Sequence, residues 1–176
     1  MHDLGIIHGD LKGVRVCIPS YHLRLLTRSK ANITVHDDGR ALLTDFALIT
    51  LIPDQSTFPS IDLEGGTLQW MSPELIDPKR IDLEHSLHTK ESDCYALGMV
   101  IYEVLSGCAP YSTDNPFIVL RKVLNGERPE RPRGEAGEVF TDGIWDVMQL
   151  CWRSEPSERA NAKDVLPCLE GNPSNV

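Results

Sequence analysis

No run of apolar side chains in these 176 residues is long enough to cross a membrane. The longest near-apolar stretch, Cys94 to Leu105, is broken by Glu103 and falls well short of the roughly 20 residues a spanning helix needs, so it reads as a core helix. A secretory leader is missing too, since Met1 to Ile7 is short and lacks a basic start. Positive charge is scarce. Lys and Arg number 17 against 26 Asp and Glu, a formal net charge of −9. With no basic surplus to displace counterions, a nucleic-acid backbone is excluded as the main partner. Most of the carboxylates are scattered singly, as on a solvated acidic surface. The five cysteines, at 17, 94, 108, 151 and 168, are odd in number, and no two lie at metal-ligand spacing. A reduced, cytoplasmic setting fits them best. Internal repeats are absent, and the length supports one domain with one core.

What is present divides at about residue 70. Ile33-Thr34-Val35 and Ala41-Leu42-Leu43 flank His36-Asp37-Asp38-Gly39-Arg40, two short apolar runs around an Asp-Gly turn, which predicts a β-hairpin. Residues 14 to 30 show neither strand nor helix period. From Leu48 to about Gln69 the chain carries Pro53, Pro59, Gly65 and Gly66, and a loop of that length in a compact domain serves function or moves. The remainder predicts helices. Residues 92 to 106 carry a stripe of Leu97, Val100, Ile101, Val104 and Leu105, closed by Gly107. Asp114 and Pro116 open a second helix with Phe117, Leu120, Val123 and Leu124 inward. Thr141 caps a third, which buries Ile144, Met148 and Cys151 beside Trp145 and Trp152. Asn161 with Asp164 forms a capping arrangement for a fourth, which Pro167 should kink or end.

Four short motifs stand in order: His8-Gly9-Asp10-Leu11-Lys12 with Asn32 after it, Asp45-Phe46-Ala47, and Ser72-Pro73-Glu74. Together they resemble the protein-kinase series H-R-D, N, D-F-G and A-P-E. Downstream, Ser92 to Gly98 and Arg159-Ala160-Asn161-Ala162 lie at family-like distances. Lys12 and the run Gly66-Thr67-Leu68-Gln69-Trp70-Met71 resemble the serine/threonine side of the family, near its tyrosine-kinase-like branch.

The resemblance implies a mainly α (α+β) fold: a kinase C-terminal lobe with a small β-hairpin at the catalytic loop and residues 48–74 as activation segment. It implies ATP and Mg2+ as cofactors, a protein substrate, and phosphoryl transfer to Ser or Thr hydroxyls. Such transfer depends on positioning and charge neutralisation more than on covalent chemistry. In those terms Asp10 orients the acceptor hydroxyl as base, Lys12 sets a cation beside the phosphoryl oxygens, and Thr67 shapes the acceptor pocket. Asn32 and Asp45 supply hard oxygen ligands for magnesium. Glu74 and Arg159 correspond to a buried ion pair, and Asp93 to a carboxylate that receives catalytic-loop N–H groups. Taken singly, Asp10 and Asp45 read as turn residues, and Asp93 as a favourable acid in the first turn of a helix. The ordered set decides for the family.

Three departures qualify this. First, no Gly-rich loop precedes His8, nor any V-A-I-K-type strand, and Met1-His2 stands where a long buried helix of the family is finishing. The isolated polypeptide is therefore expected to be inactive and to leave apolar surface uncovered. Second, Asn32 follows Asp10 by 22 positions where the family has five, an excess of 17. Removing residues 14–30 restores the pattern, so the segment reads as a retained intron or a true insertion. Third, Gly9 replaces the Arg of H-R-D, which argues against activation through a phosphorylated loop, and Ala47 replaces the Gly of D-F-G. Thr50, Ser56, Thr57 and Ser60 are phosphosite candidates on composition alone. The competing functional reading is a noncatalytic kinase-like module that binds protein partners.

Overall fold

The computed structural model describes residues 1–13, 15–16, 31–35, 38–45, 67–82 and 84–170. Phe46, Ala47, residues 48–66 of the activation segment with the four phosphosite candidates, and all of 14–30 except 15–16 lie outside them.

Strands Ile33–Val35 (β2) and Ala41–Leu43 (β3) pair antiparallel with Ile33 opposite Leu43. At their turn Gly39 takes φ 81, a left-handed conformation that costs glycine nothing. Asp38 braces the turn by accepting from the Arg40 N–H at 3.1 Å. The sheet holds one strand more than the expected hairpin: Arg15–Val16 (β1) runs parallel to β2, with Arg15 beside Thr34.

Five helices follow among the described residues. A short one, Pro73–Ile76 (α1), starts with its proline at the first helical position. The long central helix is Lys90–Ser106 (α2). It starts ahead of the expected residue 92 because Thr89 caps it: Thr89 Oγ1 accepts from Ser92 N–H at 3.1 Å while Ser92 Oγ accepts from Thr89 N–H at 2.9 Å. In Pro116–Leu124 (α3) the cap is Asn115, which accepts from Ile118 N–H at 3.0 Å. Asp114, expected to open that helix, instead pairs with Lys122 at 2.7 Å. Thr141 caps Asp142–Cys151 (α4), and Asn161 with Asp164 forms a reciprocal box on Ala162–Leu169 (α5). Pro167 does not end α5, which runs on to Leu169. No helix among the described residues is long and apolar enough to cross a membrane.

α2 is the axis of the core, and of the expected stripe only Val100 and Ile101 are buried. Tyr95, Met99 and Glu103, each four residues from the next, are almost wholly buried, whereas Val104 is 55% exposed and Leu97 and Leu105 are half-buried. Buried polar residues with partners of their own (Ser92, Asp93, Glu103) occupy the inner face and displace the apolar signal. Phe117, expected inward, is 73% exposed. It lies two residues from buried Val119, about 200° around a helix of 3.6 residues per turn. α2 meets α4 closely at Gly98, where a Cβ would stand 2.7 Å from Trp152 Nε1 and 2.8 Å from Cys151 Cβ. Trp152 is buried there and Trp145 packs edge-on against it, ring centroids 5.9 Å apart. Between the sheet, α2 and α5, a mostly apolar groove of about 820 Å3 stays open, with Met1, Leu11, Ile33, Leu97 and Leu166 among its walls. It accounts for the half-burial of Leu97.

Candidate active site

The site is built outward from Asp93, in the first turn of α2 and 2% exposed. Its Oδ2 accepts the His8 N–H at 2.7 Å and its Oδ1 the Gly9 N–H at 2.8 Å. Charge-assisted bonds of this kind are roughly twice as strong as neutral ones, and here they fasten the loop 8–12 to the core helix. His2 Nε2 lies 3.1 Å from the same Oδ2, a contact that sequence reasoning missed.

With the loop held, four side chains converge. Lys12 Nζ donates to Asp10 Oδ2 at 2.6 Å and to Thr67 Oγ1 at 3.0 Å. Asn32 Nδ2 donates to Asp10 Oδ2 at 2.9 Å and to the Asp10 carbonyl at 2.6 Å. The Asn32 backbone is fixed as well, by its N–H on Lys12 O at 2.9 Å and by its carbonyl, which accepts from Thr44 N–H at 2.8 Å. Asn32 is buried, while the side chains of Asp10 and Lys12 keep 19% and 12% exposure. A carboxylate, a cation, a hydroxyl and an amide thus share one pocket floor that still meets solvent.

Asp45 follows the end of β3 directly after Thr44. Thr44, immediately before it, bonds to Asn32, and the Thr44 carbonyl accepts from His8 Nε2 at 3.0 Å. That leaves His8 Nδ1 to accept from the Asp10 N–H at 3.3 Å, so one imidazole bridges the end of β3 and the catalytic loop. Asp45 itself is exposed and adopts φ 57, a strained left-handed conformation of the kind found at functional sites.

For magnesium the donor chemistry is suitable. With its Nδ2 committed to Asp10, Asn32 has Oδ1 left as an acceptor, and Asp45 is an exposed carboxylate residue just past β3. Mg2+ is held by one or two such oxygens together with phosphate and water. No cluster of three His, Cys, Asp or Glu side chains able to hold a metal exists among the described residues.

His88 is the second residue that sequence reasoning missed. A Cβ on Gly9 would lie 3.2 Å from His88 Cγ, and Gly9 holds φ 78. The imidazole therefore fills the space where a side chain at position 9 would start. Burial pushes the His88 pKa below its ordinary value, although Asp93 and Asp10 favour the charged form. Gly9 was the signal in the sequence, but nothing local names its neighbour 79 positions away.

Behind the pocket, Arg159 and Glu74 form a bidentate pair, both contacts 2.7 Å, with side chains 0% and 5% exposed. Arg159 also donates to the carbonyls of Arg153 and Glu91 at 2.9 and 3.0 Å. Its guanidinium stacks 5.2 Å from the Tyr95 ring centroid, with Arg128 at 5.3 Å from the same ring. Burial lifts the Tyr95 hydroxyl pKa to about 12. Trp70 ties the segment before α1 to α2 by donating to Glu103 at 3.1 Å.

A loop pinned by a helix-borne carboxylate, a pocket of Asp, Lys, Thr and Asn, and an Arg–Glu anchor on an α-helical core define the catalytic-loop side of a protein kinase domain. The chain belongs to the family described as protein tyrosine and serine/threonine kinase, whose profile matches residues 22–169. The match begins within the segment 14–30, and relatives extend it over nearly the whole chain. Cytokinesis protein sepH of Emericella nidulans is 30% identical over 94% of this chain and 10% of its own length. A probable serine/threonine-protein kinase of Dictyostelium discoideum is 28% identical over the full chain and 23% of its own. Receptor-interacting serine/threonine-protein kinase 3 of Homo sapiens is 29% identical over 95% and 29%. The chain thus spans a tenth to under a third of the length of these relatives. The family's activity is phosphoryl transfer.

Proposed function

We propose that this chain contributes the catalytic-loop side of an ATP-dependent transfer of phosphate to Ser or Thr hydroxyls of protein substrates, in an intracellular setting. The observation that carries the reading is the closed set Asp10–Lys12–Thr67–Asn32. In this reading Asp10 accepts the hydrogen bond of the substrate hydroxyl and aims its oxygen. Lys12 holds the Asp10 carboxylate in place and presents positive charge where phosphoryl oxygens gather. Thr67 steadies Lys12 from the acceptor side. Asn32 and Asp45 would hold magnesium, which would supply neutralisation of phosphate charge. The free thiols Cys94, Cys108, Cys151 and Cys168 support the reducing compartment, and burial raises the Cys94 pKa to about 11 and that of Cys151 to about 12, which keeps both unreactive.

The test is transfer of labelled phosphate from ATP to Ser/Thr substrate by the full-length gene product. Asp10→Asn is expected to lower the rate at least about 100-fold, the scale of a lost general base. No transfer by the unsubstituted product would leave the noncatalytic reading in its place, and equal nonzero rates would remove Asp10 from the role of base.

A further inference from the structure

We infer that residues 14–30 leave and re-enter the catalytic loop at a single point, so that Asp10, Lys12 and Asn32 are held in the same way with or without them. The two ends of the segment touch. The last bond before it and the first after it close on each other, with Asn32 N–H on Lys12 O at 2.9 Å. One residue further along, a Cβ built on Gly13 lies 3.1 Å from Ala31 Cβ, 3.2 Å from Ala31 Cα and 3.9 Å from Ala31 N. The backbones of Gly13 and Ala31 therefore pack directly against each other although 17 residues separate them. Both are buried, so the junction belongs to the core.

The path out of the junction is consistent with this. Gly13 takes φ 59, a left-handed turn that points the chain away from its course, and Arg15–Val16 then runs alongside β2 in the same direction. Parallel neighbours need a connection of about a dozen residues or more, and the stretch from 17 to 32 supplies it. Closing such an excursion adds little entropy cost, because that cost grows only with the logarithm of length. Meanwhile the bonds that fix the pocket run between residues outside the segment: Asn32 to Asp10, Lys12 to Asp10 and Thr67. The inference rests on these contacts alone and stands or falls separately from phosphate transfer.

Two experiments on the full chain test it. Gly13→Cys with Ala31→Cys places two Cβ atoms near the roughly 3.5–4.5 Å of a disulfide. Mild oxidation of the folded chain is expected to give a 13–31 crosslink, identified by peptide mapping against the five natural cysteines and absent in denaturant. Failure to crosslink in the folded chain would overturn the inference. In the second, residues 14–30 are excised and Gly13 is joined to Ala31. The unfolding midpoint is expected to stay level or rise, and the Asn32 side-chain amide to keep its NMR shifts and its protection from exchange. A shortened chain that does not fold, or that folds with Asn32 exchanging like a free amide, would contradict it, since the bonds that hold Asn32 run between residues outside the segment.

Discussion

Arg159 and Glu74 form one ion pair of this chain, Lys12 and Asp10 another, and the contact distances are nearly the same, 2.7 and 2.6 Å. Their surroundings differ. The first pair is sealed at 0% and 5% side-chain exposure, and Arg159 has backbone carbonyls on its remaining donors. The second keeps 12% and 19% exposure, and its other neighbours are a hydroxyl and an amide. A sealed pair holds helices together and loses heavily if one partner goes. An open pair costs little to rearrange, which is what a group that must receive a substrate and a phosphate requires.

Substitutions can break or sharpen that contrast. The largest effect is expected at the sealed pair: Glu74→Gln leaves a buried guanidinium without its counter-charge and should cost about 3–5 kcal/mol. Against a total stability of roughly 5–15 kcal/mol, the denaturant midpoint should collapse. Next is the loop between the two pairs. Gly9→Ala must place a methyl group at positive φ against His88, at about 1–2 kcal/mol plus the displacement of the ring. In a His88→Ala background the steric part should vanish and the backbone part remain, a difference that a double-mutant cycle reads directly.

A smaller effect follows from protonation. Because the folded-state pKa of His88 lies below its ordinary 6.5, the unfolded chain binds that proton more readily. Stability contributed by the neutral ring is present above pH 6.5 and is lost as pH falls through 6.5 toward the folded value. The unfolding midpoint measured from pH 7.5 down to 5 should drop less in His88→Asn than in the unsubstituted chain. The smallest stability effect is expected at the open pair, where Lys12→Met should change folding by no more than about 1 kcal/mol while abolishing the phosphate-facing charge.

How far the sequence foretold this depends on whether a feature is local. Caps at Thr141 and Asn161, the proline start of α3 and the Asp38-Gly39 turn were legible because each is decided within four residues. The faces of α2 and the orientation of Phe117 were not, since Asp93 and Glu103 are buried for the sake of distant partners that periodicity does not display. In the site, residue types and their order were enough to nominate Asp10, Lys12, Asn32, Thr67 and Asp93. His2 and His88 escaped because their contacts span 91 and 79 positions. The 17-residue excess was visible as a break in spacing, but the contact of Gly13 with Ala31 belongs to three dimensions alone.

The account turns on Asp10, Asn32 and Asp45 facing one metal–phosphate position. Paramagnetic Mn2+, added at substoichiometric levels to the labelled chain, measures this through selective broadening of amide NMR signals. Broadening should centre on Asp10, Asn32, Thr44 and Asp45 and disappear in an Asn32→Ala, Asp45→Asn double variant. Broadening that centres on other carboxylates, such as Asp38 or Glu135, and is untouched by the double variant would contradict it.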